Sequence, residues 1–239
     1  EMLMPNFDTS RECAQRLDSE DSLKRFRNQF HIPKTASDRD EIYLCGNSLG
    51  LQPTRTRAYV NDFLDDWQNL GVRGHFEPKH AWMPYHEFLT EGMAQLVGAQ
   101  TNEVVTMNSL TVNLHLMMVS FYRPNAKRYK ILIEDHAFPS DTYAVTSQIR
   151  HHGFDPESAL LTIKPRDGEE LIRAEDLYAL LEREGESIAL VLLPGVQYYT
   201  GQVLDMAEIV RRAHAQGCVV GFDLAHAVGN LELSLHDWD

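Results

Sequence analysis

Three cysteines in 239 residues, Cys13, Cys45 and Cys218, show no paired spacing, so a reduced, cytoplasmic setting is expected rather than a disulfide framework. Cys45, beside a glycine turn, reads more readily as a small buried hydrophobe than as a reactive thiol. No run approaches the roughly 18 apolar residues of a membrane span. The start, Glu1-Met2-Leu3-Met4-Pro5, lacks a basic region followed by an apolar one, so neither a membrane nor a secreted protein is expected. Basic residues are scarce, 22 Lys and Arg against 35 Asp and Glu for a net charge of -13, which argues against nucleic acid as a partner. Neither GxGxxG nor GxxxxGK[ST] occurs, which argues against dinucleotides and nucleoside triphosphates. His80 and His86 flank Trp82 and Tyr85 without an HExxH spacing, so a zinc site is rejected and no metal is expected. Repeats, low-complexity tracts and clear linkers are also missing.

What is present centres on Cys218-Val219-Val220 followed by Gly221-Phe222-Asp223-Leu224-Ala225-His226-Ala227-Val228-Gly229-Asn230. A β-branched run ending in a small polar turn reads as a buried parallel strand that delivers Asp223 and His226 at its carboxyl end, where open α/β sheets place ligands. A shielded carboxylate there suits a heterocyclic nitrogen that must stay protonated, as in the pyridine of pyridoxal phosphate (PLP). On local pattern alone, an Asp223 that caps the next turn and a satisfied core His226 account for the stretch equally well.

Taken in order, residues 8–29 suit one or two amphipathic helices interrupted around Asp18 to Asp21. Ile42-Tyr43-Leu44 leads, extended, into the turn Gly46-Asn47-Ser48-Leu49-Gly50. Thr54 to Leu70 reads as a helix whose Tyr59, Phe63 and Trp67 form a core or interface stripe, stopped by Gly71. His75 lies in a loop after Gly74, and a second helix spans Trp82 to Val97, closing near Gly98. Short apolar runs then alternate with helical patterns, which predicts an α/β fold with a mostly parallel sheet flanked by helices. The strands are expected at Glu103 to Thr106, Tyr129 to Ile133, Ser158 to Ile163, Ile188 to Leu193 and Cys218 to Phe222. Helices are expected at Leu110 to Tyr122, Thr142 to His151, Ala174 to Arg183 and Leu204 to Gln216. Ser109, Leu110 and Thr111 fall at a helix amino terminus, which is either an anion site or an ordinary cap. Phe138, at a strand-to-helix corner, either stacks on a flat ring or staples the following helix, and Ser140 or Asp141 caps that helix.

The ordered set Tyr43 to Gly50, Gly74-His75-Phe76, Met107 to Asn113, Phe138-Pro139-Ser140-Asp141, Leu193 to Gln202 and Gly221 to Asn230 resembles the kynureninase family from about Asn6 to Asp239. The resemblance implies an aspartate-aminotransferase type of fold, PLP as cofactor and a homodimer. It also implies hydrolysis of L-kynurenine or its 3-hydroxy form to an anthranilate and L-alanine in tryptophan catabolism. On this resemblance Asp223 keeps the pyridine protonated, Phe138 stacks on it, Ser140 and Asp141 bond around the ring, and Leu110 and Thr111 hold the phosphate with His226 nearby. Ser48 and His75 contact the substrate. Pro194 stands where family members place a hydroxyl and is not assigned. Residues 1–53 are read as an arm with the substrate turn and 54–239 as the PLP-binding large domain, incomplete at its carboxyl end. The family's cofactor-bearing lysine is expected a short way beyond Asp239, so the chain is read as an amino-terminal part, inactive without a missing carboxyl-terminal partner segment. The competing readings are a cysteine desulfurase or aminotransferase of the same fold, from which His75 and the Gly46 to Gly50 turn discriminate, and an inactive fragment.

Overall fold

The computed structural model describes residues 8–239, which form two compact units, one running to Ala81 and the other Trp82–Asp239. In the first, α1 (Arg11–Glu20) is capped by Ser10, whose hydroxyl accepts the Cys13 N–H, and a 3-10 turn follows at Lys24–Gln29. Helix α2 (Thr56–Leu70) ends at Gly71, whose φ of 55° suits a residue without Cβ. The stripe read as core or interface is not core within this unit: Tyr59, Phe63 and Trp67 are 54%, 44% and 64% exposed. Among its described residues only Cys13 and Gly74 are buried. Ile42 and Leu44 lie outside any strand and are exposed, and Cys45 is exposed rather than buried.

The second unit opens with α3 (Glu87–Val97), which starts later than the sequence pattern suggests because Trp82 to His86 form turns. It stops at Gly98, where a Cβ would meet the Leu233 carbonyl at 2.1 Å. The strand expected at Glu103 to Thr106 is absent, replaced by a 3-10 turn at Thr101–Glu103 and irregular chain. The reason is local capping: the Glu103 carboxylate accepts the Gln100 N–H at 2.8 Å and lies 2.9 Å from His236 Nδ1. Then follow α4 (Leu110–Phe121), β1 (Lys130–Glu134), α5 (Pro139–His151), α6 (Pro156–Ala159) and β2 (Leu160–Ile163). The chain continues through α7 (Ala174–Glu184), β3 (Ile188–Pro194), α8 (Met206–Ala215), β4 (Val219–Asp223) and α9 (Leu235–Trp238). The short α6, capped by Asp155, takes the first two residues expected of the second strand.

All three ladders are parallel, in the order β2-β1-β3-β4. Alternation along the strands feeds two cores. Leu132, Val191 and Leu193 face α7 and α8 with Leu181 and Ile209, whereas Ile131, Ile133, Leu190 and Leu192 face α4 and α5 with Met118, Val145 and Ile149. Each fully buried aliphatic chain contributes about 1.5–3 kcal/mol relative to exposure, so strand order and register follow from two apolar faces in a three-layer α/β/α stack. Strand β3 is buried throughout, and β4, at the sheet edge, is only half-buried.

Candidate functional site

The chain leaves β1 for β2 on one side of the sheet and leaves β3 for β4 on the other. The exit loops of β1 and β3 therefore diverge, which opens a crevice at the carboxyl ends of the strands. Asp223 is the last residue of β4, in register with Pro194 of β3, and its carbonyl accepts the Gly195 N–H at 2.9 Å. Its carboxylate accepts the Ala225 N–H at 2.8 Å, which tightens the exit turn. A side chain at Gly195 would lie 2.7 Å from Leu224, so glycine lets the two exits approach.

Asp141, in the first turn of α5, is buried and lies beside the Asp223 carboxylate. Two carboxyl groups so placed can hydrogen-bond only when one holds the proton. Burial first, then the charge and hydrogen bond of Asp223, push Asp141 up to about 7, against a weak opposing contribution from the Ser140 hydroxyl, 3.3 Å away. Glu134, buried at the end of β1, is also raised to about 7, chiefly by burial and then by the charges of Asp141 and Asp223, while its own backbone N–H pulls the other way. None of the three pairs with a lysine or arginine among the described residues. Nor do any three or more His, Cys, Asp or Glu form a metal-holding group among those residues.

One wall of the crevice is aromatic. Phe138, at the corner into α5, is 43% exposed and meets Tyr198 edge-on at 5.2 Å, and Tyr198 lies 6.4 Å from the His226 ring. His226 Nδ1 is buried without a hydrogen-bond partner. The structure thus brings Phe138, Ser140, Asp141, Asp223 and His226 to the ends of β1, β3 and β4. Leu110 and Thr111 form the first turn of α4, which Ser109 does not cap with its side chain, leaving the amino-terminal N–H groups for an anion. Helix α4 points this turn toward the same end of the sheet: its last turn is anchored at the amino end, where the Tyr122 hydroxyl donates to Tyr129 O at 2.6 Å. Ser48 and His75 belong to the first unit, Ser48 in a turn closed by its N–H on Cys45 O and His75 at the end of a 3-10 turn, both exposed.

The model of the family described as aminotransferase class-V matches residues 42–239. The chain belongs to that family. Among curated relatives, the kynureninase of Koribacter versatilis (strain Ellin345) is 62% identical over 233 residues, covering 98% of this chain and 55% of the relative. That of Rattus norvegicus is 49% identical over 242 residues, covering 97% and 52%. The chain spans about half the length of the curated relatives it matches. Among solved structures, a C-DES mutant with glycine covalently linked to its PLP cofactor matches with a TM-score of 0.65 at 18% identity, over 89% of this chain and 51% of the other. A cysteine desulfurase from Escherichia coli matches with a TM-score of 0.64 at 18% identity, over 90% and 52%. These two share the fold, as expected of a class-V member. No helix among the described residues is long and apolar enough to cross a membrane.

Sequence reasoning singled out Asp223 but missed Glu134, Gln197 and Tyr198. The signal for Glu134 was the same one: a carboxylate ending an apolar run, Ile131-Leu132-Ile133-Glu134. Gln197 and Tyr198 stood inside a quoted motif, yet no sequence pattern separates a buried glutamine from a solvated one. Pro194 is buried at the end of β3 and offers no hydroxyl.

Proposed function

We propose that the protein is a kynureninase that uses PLP to cleave L-kynurenine, or its 3-hydroxy form, to an anthranilate and L-alanine. The observation that carries the reading is the pairing of buried Asp141 with half-buried Asp223, which has no basic partner among the described residues and stands beside a half-exposed aromatic ring at the sheet's switch point. Such a pair fits a flat ring that brings its own proton on nitrogen; the uncapped first turn of α4 fits a phosphate, and the orphaned His226 Nδ1 fits a polar ligand edge. The kynureninase relatives at 49% to 62% identity favour this substrate class over that of a desulfurase or aminotransferase.

Bound PLP supplies a cationic ring that draws electron density away from the substrate's α-carbon. Asp223 would hold the proton on the ring nitrogen, and Asp141, when protonated, would donate to Asp223 and fix its orientation. Phe138 would lie against the ring and keep water from it, while the N–H groups of Leu110 and Thr111 would hold the phosphate. Ser48 and His75 contact the substrate in this reading, and a homodimer fits it. None of the six lysines, Lys24, Lys34, Lys79, Lys127, Lys130 and Lys164, follows β4, so none of them is assigned to carry the cofactor.

The test is Asp223→Asn in the complete polypeptide as its gene encodes it. Turnover of kynurenine should fall by about a thousandfold or more, roughly 4 kcal/mol in barrier, with PLP still bound through its phosphate. Turnover within about threefold of the unsubstituted protein, only about 0.6 kcal/mol, would sink the reading.

A further inference from the structure

The loops that leave β1 and β3 are tied together by one buried side chain. Gln197, 6% exposed, donates from Nε2 to the carbonyl of His136 at 3.1 Å. Its Oε1 accepts the N–H groups of Tyr199 at 2.7 Å and Thr200 at 2.9 Å, with the Thr200 hydroxyl at 3.4 Å. The Gln197 backbone is pinned in turn, its N–H on Gln202 O at 2.9 Å, while the Gln202 carboxamide pairs with both the N–H and the carbonyl of Ile172. His136 sits at φ 54°, a region non-glycine residues seldom occupy, two residues before Phe138. A carbonyl presented from such a conformation persists only when its partner holds it. Tyr198, next to Gln197, carries the ring that meets Phe138 edge-on.

We propose that Gln197 is a positioning residue for the aromatic wall, one carboxamide setting the place of Phe138 through His136 and of Tyr198 through the turn at Tyr199 and Thr200. The proposal rests on the reading that Phe138 lies against the ring of PLP. Its logic is that of a supporting hydrogen bond that locks a side chain touching the ligand. Gln197→Met keeps the length and loses every bond. Gln197→Glu keeps the acceptor side, and only its protonated form can donate to His136 O, so its effect should grow as pH rises.

The experiment uses the complete polypeptide and reads two signals besides activity: amide hydrogen exchange of residues 135–138 and 197–200 without ligand, and the visible circular dichroism of bound PLP with its Kd. With Gln197→Met, both loops should exchange faster together, the Kd should rise about tenfold and the dichroic band should weaken, as loss of preorganisation demands. Gln197→Glu should resemble the unsubstituted protein at low pH and Gln197→Met at high pH. A Phe138→Ala, Gln197→Met pair should be less than additive in Kd, since both act through one ring. Unchanged exchange at 135–138, or unchanged PLP signals in Gln197→Met while Phe138→Ala weakens them, overturns the positioning role and leaves the site reading intact. PLP signals unchanged in Phe138→Ala overturn the ring assignment and the proposal with it.

Discussion

At the amino end of the sheet a single guanidinium, that of Arg128, donates to the carbonyls of Gly185, Ile188 and Gln216 at 2.7 to 2.9 Å and lies 3.7 Å from the Cys218 sulfur. At the carboxyl end three carboxyl groups meet with no basic partner among the described residues, and His226 Nδ1 is buried without a hydrogen bond. One end gathers three carbonyls around a cation, and the other leaves like charges and an unpartnered ring nitrogen together. Unsatisfied groups and raised carboxyls cost stability, and a fold tolerates that cost where a ligand is to supply what is missing. The amino end is the part that keeps the sheet closed, and the carboxyl end is the part held ready.

The comparison breaks most visibly at Arg128. Arg128→Met should cost about 3 kcal/mol or more in urea unfolding, because three carbonyls at the strand starts lose a charged donor. Arg128→Lys should recover only part of this, since one ammonium cannot reach three carbonyls in the guanidinium's plane. A loss below about 0.5 kcal/mol, the range of ordinary surface substitutions, would show that the amino end does not carry the closure.

Glu134→Gln sharpens the other side of the comparison. The native state holds this proton up to about 7, whereas the ordinary glutamate value is 4.5. A group with a raised native pKa contributes stability that is complete below the unfolded value and is lost as pH climbs through the native one. The ligand-free protein should therefore weaken between pH 4.5 and 7 on account of Glu134. Glu134→Gln should match it near pH 4 and exceed it at pH 8 by about 3 kcal/mol. Equal stability of the two proteins at both pH values would remove Glu134 from the strained cluster.

How far this contrast was legible in the sequence depends on the kind of signal. Strands β1, β3 and β4 and helices α4, α7 and α8 lie close to where apolar runs and helical spacing put them, because each buries a continuous face that the sequence must encode. The Glu103 to Thr106 strand failed because Glu103 is engaged in a cap with Gln100 and with His236, 133 positions away, which no strand pattern reveals. The Tyr59, Phe63 and Trp67 stripe was read as core or interface, and it is not core: its unit buries none of the three. Asp223 was legible as a strand-end carboxylate, but its place beside Asp141 was not, since 82 positions of chain separate two residues that only the parallel order brings together. The Arg128 clamp was invisible for the same reason: its partners lie 57, 60 and 88 positions away.

The smallest of these effects is the stability response to Asp223→Asn, and it separates burial from charge as the source of strain. For both Glu134 and Asp141 burial is the first cause of the raised pKa; the Asp223 charge comes second for Asp141 and last for Glu134. Asparagine removes that charge and keeps the fold's needs: its Oδ1 can still accept the Ala225 N–H, and its amide can donate to Asp141 once that group ionises. The raised pKa values should then fall toward the ordinary range without reaching it, Asp141 more than Glu134. Stability should rise by about 1 kcal/mol at pH 8, and the decline with pH should become shallower while keeping its direction. The measurement is a set of urea unfolding curves between pH 5 and 8 on the ligand-free protein and its variant. An unaltered decline would assign the strain to burial alone, so that the cluster would be costly with or without Asp223 charged. A decline that vanishes would assign it to the like charges. A protein gaining stability where it loses turnover is the outcome expected of a carboxylate kept for a ligand and not for the fold.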